Sequence, residues 1–254
     1  MRGSDETLDM RRIGLARALS KQGYCSRSQA FDLIRSGHVT LNGRIRRDPE
    51  APVCFGTDRI EVDGRVLAGQ EKLYVVLNKP RGVITSAADE QGRKTVYACL
   101  KPGLPWLAPV GRLDKASEGL LLFTNDSEWA ARVSAPETHL DKTYHVQINC
   151  LGDQTLIDKI TGGITTLNGE RLSAKRARIL RHGEKNTWLE VILDEGKNRQ
   201  IRRILTALGL EVLRLVRVAV GPLVLGELPK GTSRLLTTAE KRNLDRAVQA
   251  TTLS

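Results

Sequence analysis

From Lys72 onwards the chain is a succession of short strand-like runs, and their order narrows the fold more than any other feature. The runs are LYVVLNKP, LLLFTND, KTYHVQI, RLSAKRARIL, NTWLEVILDEG and VLRLVRVAVGPLVL, several of them β-branched or alternating. Three helical segments lie among them: SEWAARVSAP, DQTLIDKITGG and NRQIRRILTALGL, the last with Ile201, Ile204, Leu205 and Leu208 at i, i+3, i+4, i+7. A doubly wound sheet needs a helix of about 10–15 residues between successive strands, and that alternation is missing. The expectation is therefore an α+β fold on a large mixed, mostly antiparallel sheet with flanking helices. AEKRNLDRAVQATTLS reads as one more helix with a frayed tail.

The first quarter of the chain is organised differently. Between Arg11 and Arg47 nine basic residues face a single acidic one, Asp32. Ile13, Ala16 and Leu19 share one face of a first helix that Gly23 can end, and Ser26 opens a second with Gln29 at capping-box spacing. Ala30, Leu33 and Ile34 give that helix an apolar stripe, and Gly37 sits where a closing glycine supplies a positive φ. Then come two hairpin signals, Asn42-Gly43 inside HVTLNGRIRR and Asp63-Gly64 inside DRIEVDGRVL. A compact helix-helix-hairpin with separated apolar and basic faces is expected to lay arginines on phosphates. At 254 residues the chain accommodates this small domain, placed at 1–66, a short hinge at 67–73, and a larger domain at 74–254.

Charge and motif content exclude several classes. With 40 Lys+Arg against 29 Asp+Glu the net charge is +11, which favours a polyanionic partner. No apolar run is long enough to span a membrane, and Met1–Gly14 lacks the apolar segment of a secretory leader. Cys25, Cys54, Cys99 and Cys150 form no CxxC pair, and only His145 lies near one of them in sequence. Buried free thiols, no metal and a reducing cytoplasm are the expectation. Phosphate-binding glycine loops and a GxSxG elbow are absent, which leaves no case for a nucleotide-dependent enzyme or a serine hydrolase. One carboxylate stands out: Asp114, in a G-R-L-D turn between Arg112 and Lys115, where flanking cations favour its ionised form. Taken alone, such an aspartate is a nucleophile, a base, a solvated turn residue or a salt-bridge partner.

Two resemblances sharpen this. Residues 15–64, with Ser26-Arg27 and Val39-Thr40-Leu41-Asn42-Gly43, resemble the RNA-binding domain first described in ribosomal protein S4. That likeness implies structured RNA as partner, with Arg17, Ser26, Arg27, Arg35, Asn42 and Arg44 as its contacts. GRLDKASEGLLLFTND closely resembles the signature of ribosomal-RNA pseudouridine synthases of the RsuA type, and LNKPRGVITS, DKTYHVQI, LDEGKNRQIRRIL and RLVRVAVGPLVLGELPKG occur around it in family order. The implied reaction isomerises uridine in RNA without metal, nucleotide or redox cofactor.

The same likeness implies the site residues. Asp114 is the essential carboxylate, Arg202 its guanidinium partner, and Tyr144 the aromatic that stacks on the target base. Lys142 supports the site or binds backbone, and Asn78, Lys79 and Arg112 order loops or contact phosphate. Arg199, Arg202 and Arg203 also read as one basic helical face. Ser127 stands where the family commonly has Gly, and Lys115-Ala116 fill variable positions; neither removes a matched functional group. Two rivals use the same basic surfaces: a noncatalytic RNA-binding ribosome assembly factor, and a DNA-reading helix-turn-helix. The expected partner is ribosomal RNA or a ribosomal subunit precursor, the expected state a monomer.

Overall fold

The computed structural model describes residues 12–55, 57–67, 69, 71–87, 91–166 and 168–252. The leader-free reading of the N-terminus, part of the hinge (68 and 70) and the last two tail residues lie outside them. The chain divides into two compact units, one of residues up to 73 with 105–108 and 125–127, the other of the remainder.

In the first unit β1 (Arg12–Gly14) leads into α1 (Leu15–Lys21) and α2 (Arg27–Arg35). The first helix starts at Leu15 rather than Ile13, because Ile13 is drawn into antiparallel pairing with Val53 of β4 (Pro52–Cys54). Ser26 caps α2 as the spacing requires: its hydroxyl accepts from the Gln29 N–H and the Gln29 side chain accepts from the Ser26 N–H. The hairpin strands β2 (Val39–Leu41), β3 (Arg44–Ile45), β5 (Ile60–Val62) and β6 (Arg65–Val66) form a sheet in the order β3-β2-β5-β6. Both turns have two consecutive positive φ values, 54° and 74° at Asn42-Gly43 and 49° and 75° at Asp63-Gly64, as two-residue turns of matching twist demand. Leu15, Leu19, Ile34, Val39 and Ile60 close the core beneath.

The second unit comprises β7 (Tyr74–Lys79), β8 (Ala108–Val110), β9 (Glu118–Thr124), α3 (Ser127–Ser134), β10 (Lys142–Ile148), α4 (Gln154–Gly162), β11 (Ile164–Thr165), β12 (Arg171–Leu172), β13 (Arg176–His182), β14 (Thr187–Leu193), α5 (Gln200–Ala207), β15 (Val212–Val220), β16 (Leu223–Val224), β17 (Ser233–Leu235) and α6 (Thr238–Thr252). Among the described residues a nine-stranded sheet runs β13-β14-β10-β15-β9-β7-β17, with β16 beside β15 and β8 beside β9. The junction of β15 with β9 is parallel and the other registered pairs are antiparallel, the mixed sheet expected. RLSAKRARIL, read as one run, divides into β12 and β13, which belong to different sheets.

The two halves of the sheet are covered on opposite faces. Ile157 and Ile160 of α4 and Ile201, Ile204 and Leu205 of α5 pack on Val146, Val191 and Leu215. Trp129 and Val133 of α3 and Leu244 and Val248 of α6 pack on Val76, Leu120 and Leu122. Register shows the reversal: Glu118, two residues before Leu120, aligns with Val216, which aligns with His145, and these alternate with Leu215 and Val146. Gly119 makes the parallel junction possible. Its φ is +104°, and a Cβ there would collide with the backbone carbonyl of Arg217 and lie 2.8 Å from its nitrogen. Of the four free thiols only Cys25 is fully buried, and burial pushes its pKa up to about 11.

Candidate active site

Asp114 sits in the loop between β8 and β9, and that loop is tied down through its backbone. Lys79, at the end of β7, is fully buried and donates to the carbonyls of Asp114 (3.0 Å), Ser117 (2.8 Å) and Pro80 (3.2 Å). The Thr85 hydroxyl donates to the Leu113 carbonyl at 2.8 Å and accepts from the Leu113 N–H at 3.3 Å, clamping the residue before Asp114. Gly82 N–H donates to the Lys115 carbonyl at 2.8 Å, and Ser117 N–H to that of Asp114 at 3.0 Å. The Asp114 side chain is half-buried and has no hydrogen-bond or ion-pair partner among the described residues. A carboxylate held by its backbone, with its oxygens uncommitted, is positioned for an incoming group.

Cations surround it. Burial pushes the Lys79 pKa down to about 8, with the Asp114 carboxylate pulling the other way. Burial, Arg199 and Arg81 lower the Arg202 pKa, again against the pull of Asp114. The expected direct pair of Arg202 with Asp114 is not formed. Instead Arg202 Nη2 donates to the Ala116 carbonyl at 3.1 Å, and Nε is buried without a partner among the described residues. The same loop supplies both groups, and the carbonyl two residues past the carboxylate takes the guanidinium.

Tyr144 on β10 stands in register with Val191 and Arg217, on the face covered by α4 and α5. The ladder shifts between Thr143 and Tyr144, where β15 carries an extra residue, Val218; such a bulge re-aims the side chains beside it. The Tyr144 ring is half-buried against Val146 and its neighbours. Lys142, two residues earlier, has its pKa lowered by burial and by Arg217.

Other predicted residues divide by what they touch. Arg112 is exposed. Asn78 donates to the Leu228 carbonyl at 2.7 Å and fastens the 228–232 loop. Lys79 turns into the Asp114 loop, so of its two expected uses only the ordering of a loop agrees with its position; a fully buried ammonium does not reach phosphate. Arg199, Arg202 and Arg203 do not form one basic face. α5 begins at Gln200, Arg199 caps it in a left-handed conformation with φ 50°, and Arg203 turns to Glu170 at 2.6 Å. In the first unit Arg17, Arg27, Arg35 and Arg44 are exposed. Ser26 serves as helix cap, and Asn42 is held by Asp58 and the Arg59 N–H at 2.9 Å each.

Sequence reasoning missed Thr85 and Gly82, which carry no local signal of their role. It also missed the buried Glu118, which accepts bidentately from Arg214 at 3.2 Å and pairs with Lys230 at 2.5 Å. Arg217 is buried within β15 and donates to the Leu120 carbonyl at 2.7 Å. Two arginines, Arg214 and Arg217, inside a strand of otherwise apolar residues were the available signal.

A buried lysine holding an aspartate loop, a tyrosine two residues beyond a half-buried lysine, and an arginine reaching the same loop coincide with a family match. Residues 73–207 match the RNA pseudouridylate synthases and residues 13–60 the S4 domain. The chain belongs to the RNA pseudouridylate synthase family and isomerises uridine to pseudouridine, with an S4 domain ahead of its catalytic part. Its relatives include ribosomal large subunit pseudouridine synthase B of Bacillus subtilis (strain 168), 36% identical over 91% of this chain and 94% of that one. An RNA pseudouridine synthase of Aquifex aeolicus (strain VF5), itself uncharacterized, is 37% identical over 94% and 96%. A crystal structure of a pseudouridylate synthase superposes with a TM-score of 0.64 at 30% identity, covering 91% of this chain and 99% of that one.

Proposed function

We propose that the substrate is large-subunit ribosomal RNA and that Asp114 is the carboxylate that reacts. One observation carries the assignment: the loop bearing Asp114 is fastened through the carbonyls or N–H groups of residues 113–117 by Lys79, Thr85, Gly82 and Arg202, while the carboxylate itself is left unpartnered among the described residues. Asp114 either adds to the anomeric carbon as the bond to uracil nitrogen breaks, or removes a ribose proton to leave a glycal. In both routes the uracil departs with the bonding pair and turns. Its C5 then bonds to the same anomeric carbon, displacing the Asp114 carboxylate in the first route or, in the second, as the proton taken by Asp114 returns to the ribose, and loss of the C5 proton restores the ring. Nothing is oxidised, and each route needs the ionised carboxylate.

Tyr144 stacks on the flipped base, and its hydroxyl, unpartnered among the described residues, serves the C5 proton. Arg202 supplies positive charge beside Asp114, Lys142 supports the site or binds the RNA backbone, and Arg112 and Arg199 meet phosphates. Extruding the base costs a few kcal/mol, which contacts from Arg17, Arg27, Arg35 and Arg44 offset. The S4 domain and the relative named for the large ribosomal subunit support ribosomal RNA. The organisation into an RNA-binding domain at 1–66, a hinge at 67–73 and a catalytic domain at 74–254, working as a cytoplasmic monomer, belongs to the same proposal.

The test is tritium release from ribosomal RNA labelled at uracil C5, taken from cells lacking this protein. Release by wild type and none by Asp114→Asn is the expected result. Tight binding without release, from naked RNA and from subunits alike, would make the protein a noncatalytic assembly factor.

A further inference from the structure

One face of the nine-stranded sheet carries groups that isomerisation does not use. It lies across the β13-β14-β10-β15 half from α4 and α5, and so on the side opposite Tyr144. Register lines up Arg178, Glu190, His145, Val216 and Glu118 in one row and Arg181, Trp188, Gln147 and Arg214 in the next. Charge is layered along these rows. The Glu190 and Glu118 side chains are 18% and 4% exposed, whereas Arg178, Arg214 and Lys230, which pair with them, keep 67%, 41% and 52% of their surface. Carboxylates lie beneath and cations outside, so solvent meets a positive surface.

Trp188 stands half-exposed in that surface. The guanidinium carbons of Arg181 and Arg214 lie 5.1 and 5.5 Å from its ring centre, within cation–π range. An aromatic plane set among exposed guanidiniums is the arrangement on which a single nucleic-acid strand stacks, while its phosphates meet the cations.

We propose that this face binds a second, single-stranded stretch of the RNA substrate, with a base on Trp188 and phosphates on Arg181, Arg178 and Lys230. The inference rests on RNA being the substrate but uses none of the residues around Asp114. An acidic protein segment matches the charges and leaves the stacking plane without a purpose.

Two measurements test it. Oligouridylate substituted with 4-thiouridine, irradiated with the wild-type protein, should cross-link to the peptide containing Trp188. Arg181→Glu, a change at an exposed position, should raise KM for large-subunit ribosomal RNA about five- to tenfold at unchanged kcat and flatten the salt slope of binding by about 0.7. Trp188→Leu should raise KM similarly without changing the slope. Wild-type KM and salt slope in Arg181→Glu, or cross-links confined to other peptides, would overturn the proposal. So would competition for this face by polyglutamate and not by oligouridylate. A wild-type protein that releases no tritium refutes the ribosomal-RNA reading instead, and the cross-link still decides this one.

Discussion

Replacing Lys79 by Met asks whether the Asp114 loop depends on one buried cation. The ammonium donates to three carbonyls at 2.8–3.2 Å, two of them in the loop itself. A hydrogen bond from a charged group contributes about 1.5–3 kcal/mol, so three contribute roughly 4.5–9 kcal/mol. Against them stands the cost of burying the charge. The fall of the pKa from 10.5 to about 8 corresponds to about 3.4 kcal/mol at 1.36 kcal/mol per pH unit. Methionine keeps the volume and removes both effects, for a net loss of roughly 1–6 kcal/mol. Because the loop carries Asp114, and misplacement by about 1 Å costs about a hundredfold, kcat should fall by about that factor with little change in KM.

The same ammonium sets a pH dependence. Above about pH 8 the folded protein loses this proton, the amine loses a donor, and kcat falls. Stability moves the other way: between about 8 and 10.5 the unfolded chain binds more protons at this position, so its contribution to folding stability rises with pH. Tritium release and urea denaturation, measured on both proteins from about pH 7 to 9.5, follow the two quantities separately. A Met variant with wild-type kcat and wild-type stability would refute the reasoning, as would a Met variant that keeps the alkaline fall in kcat.

Three further outcomes are expected. Gly119→Ala puts a Cβ against the Arg217 backbone at φ +104° and should cost about 3 kcal/mol or more, read as a lowered thermal midpoint. Burial raises the Glu118 pKa, but bonds from Arg214 and Lys230 more than offset it and hold the carboxylate below 4.5. Its contribution to stability is present above pH 4.5 and lost as pH falls through the depressed value, so Glu118→Gln should flatten that part of the acid denaturation curve. Ser26→Ala removes the cap of α2 and should cost about 1 kcal/mol, seen as faster amide exchange across residues 27–35.

Features set by neighbours in the chain are legible in the sequence itself. The capping box at Ser26, the turns at Asn42-Gly43 and Asp63-Gly64, the strand Lys142–Ile148 and the α+β class follow from spacing, backbone sterics and periodicity, which act over a few residues. The candidate site is legible there as motifs around Asp114, Tyr144 and Arg202. Tertiary structure alone decided what each charge touches. It buried Lys79 beneath the loop, gave Arg202 to the Ala116 carbonyl, sent Arg203 to Glu170, and placed Glu118 under Arg214 and Lys230. These partners stand 33–112 residues apart along the chain. Periodicity tells which face a side chain takes on its own element, but the opposing group comes from the strand order and register of the sheet. Long-range packing therefore chose the partners, and with them which charges were spent inside the protein and which remained for RNA.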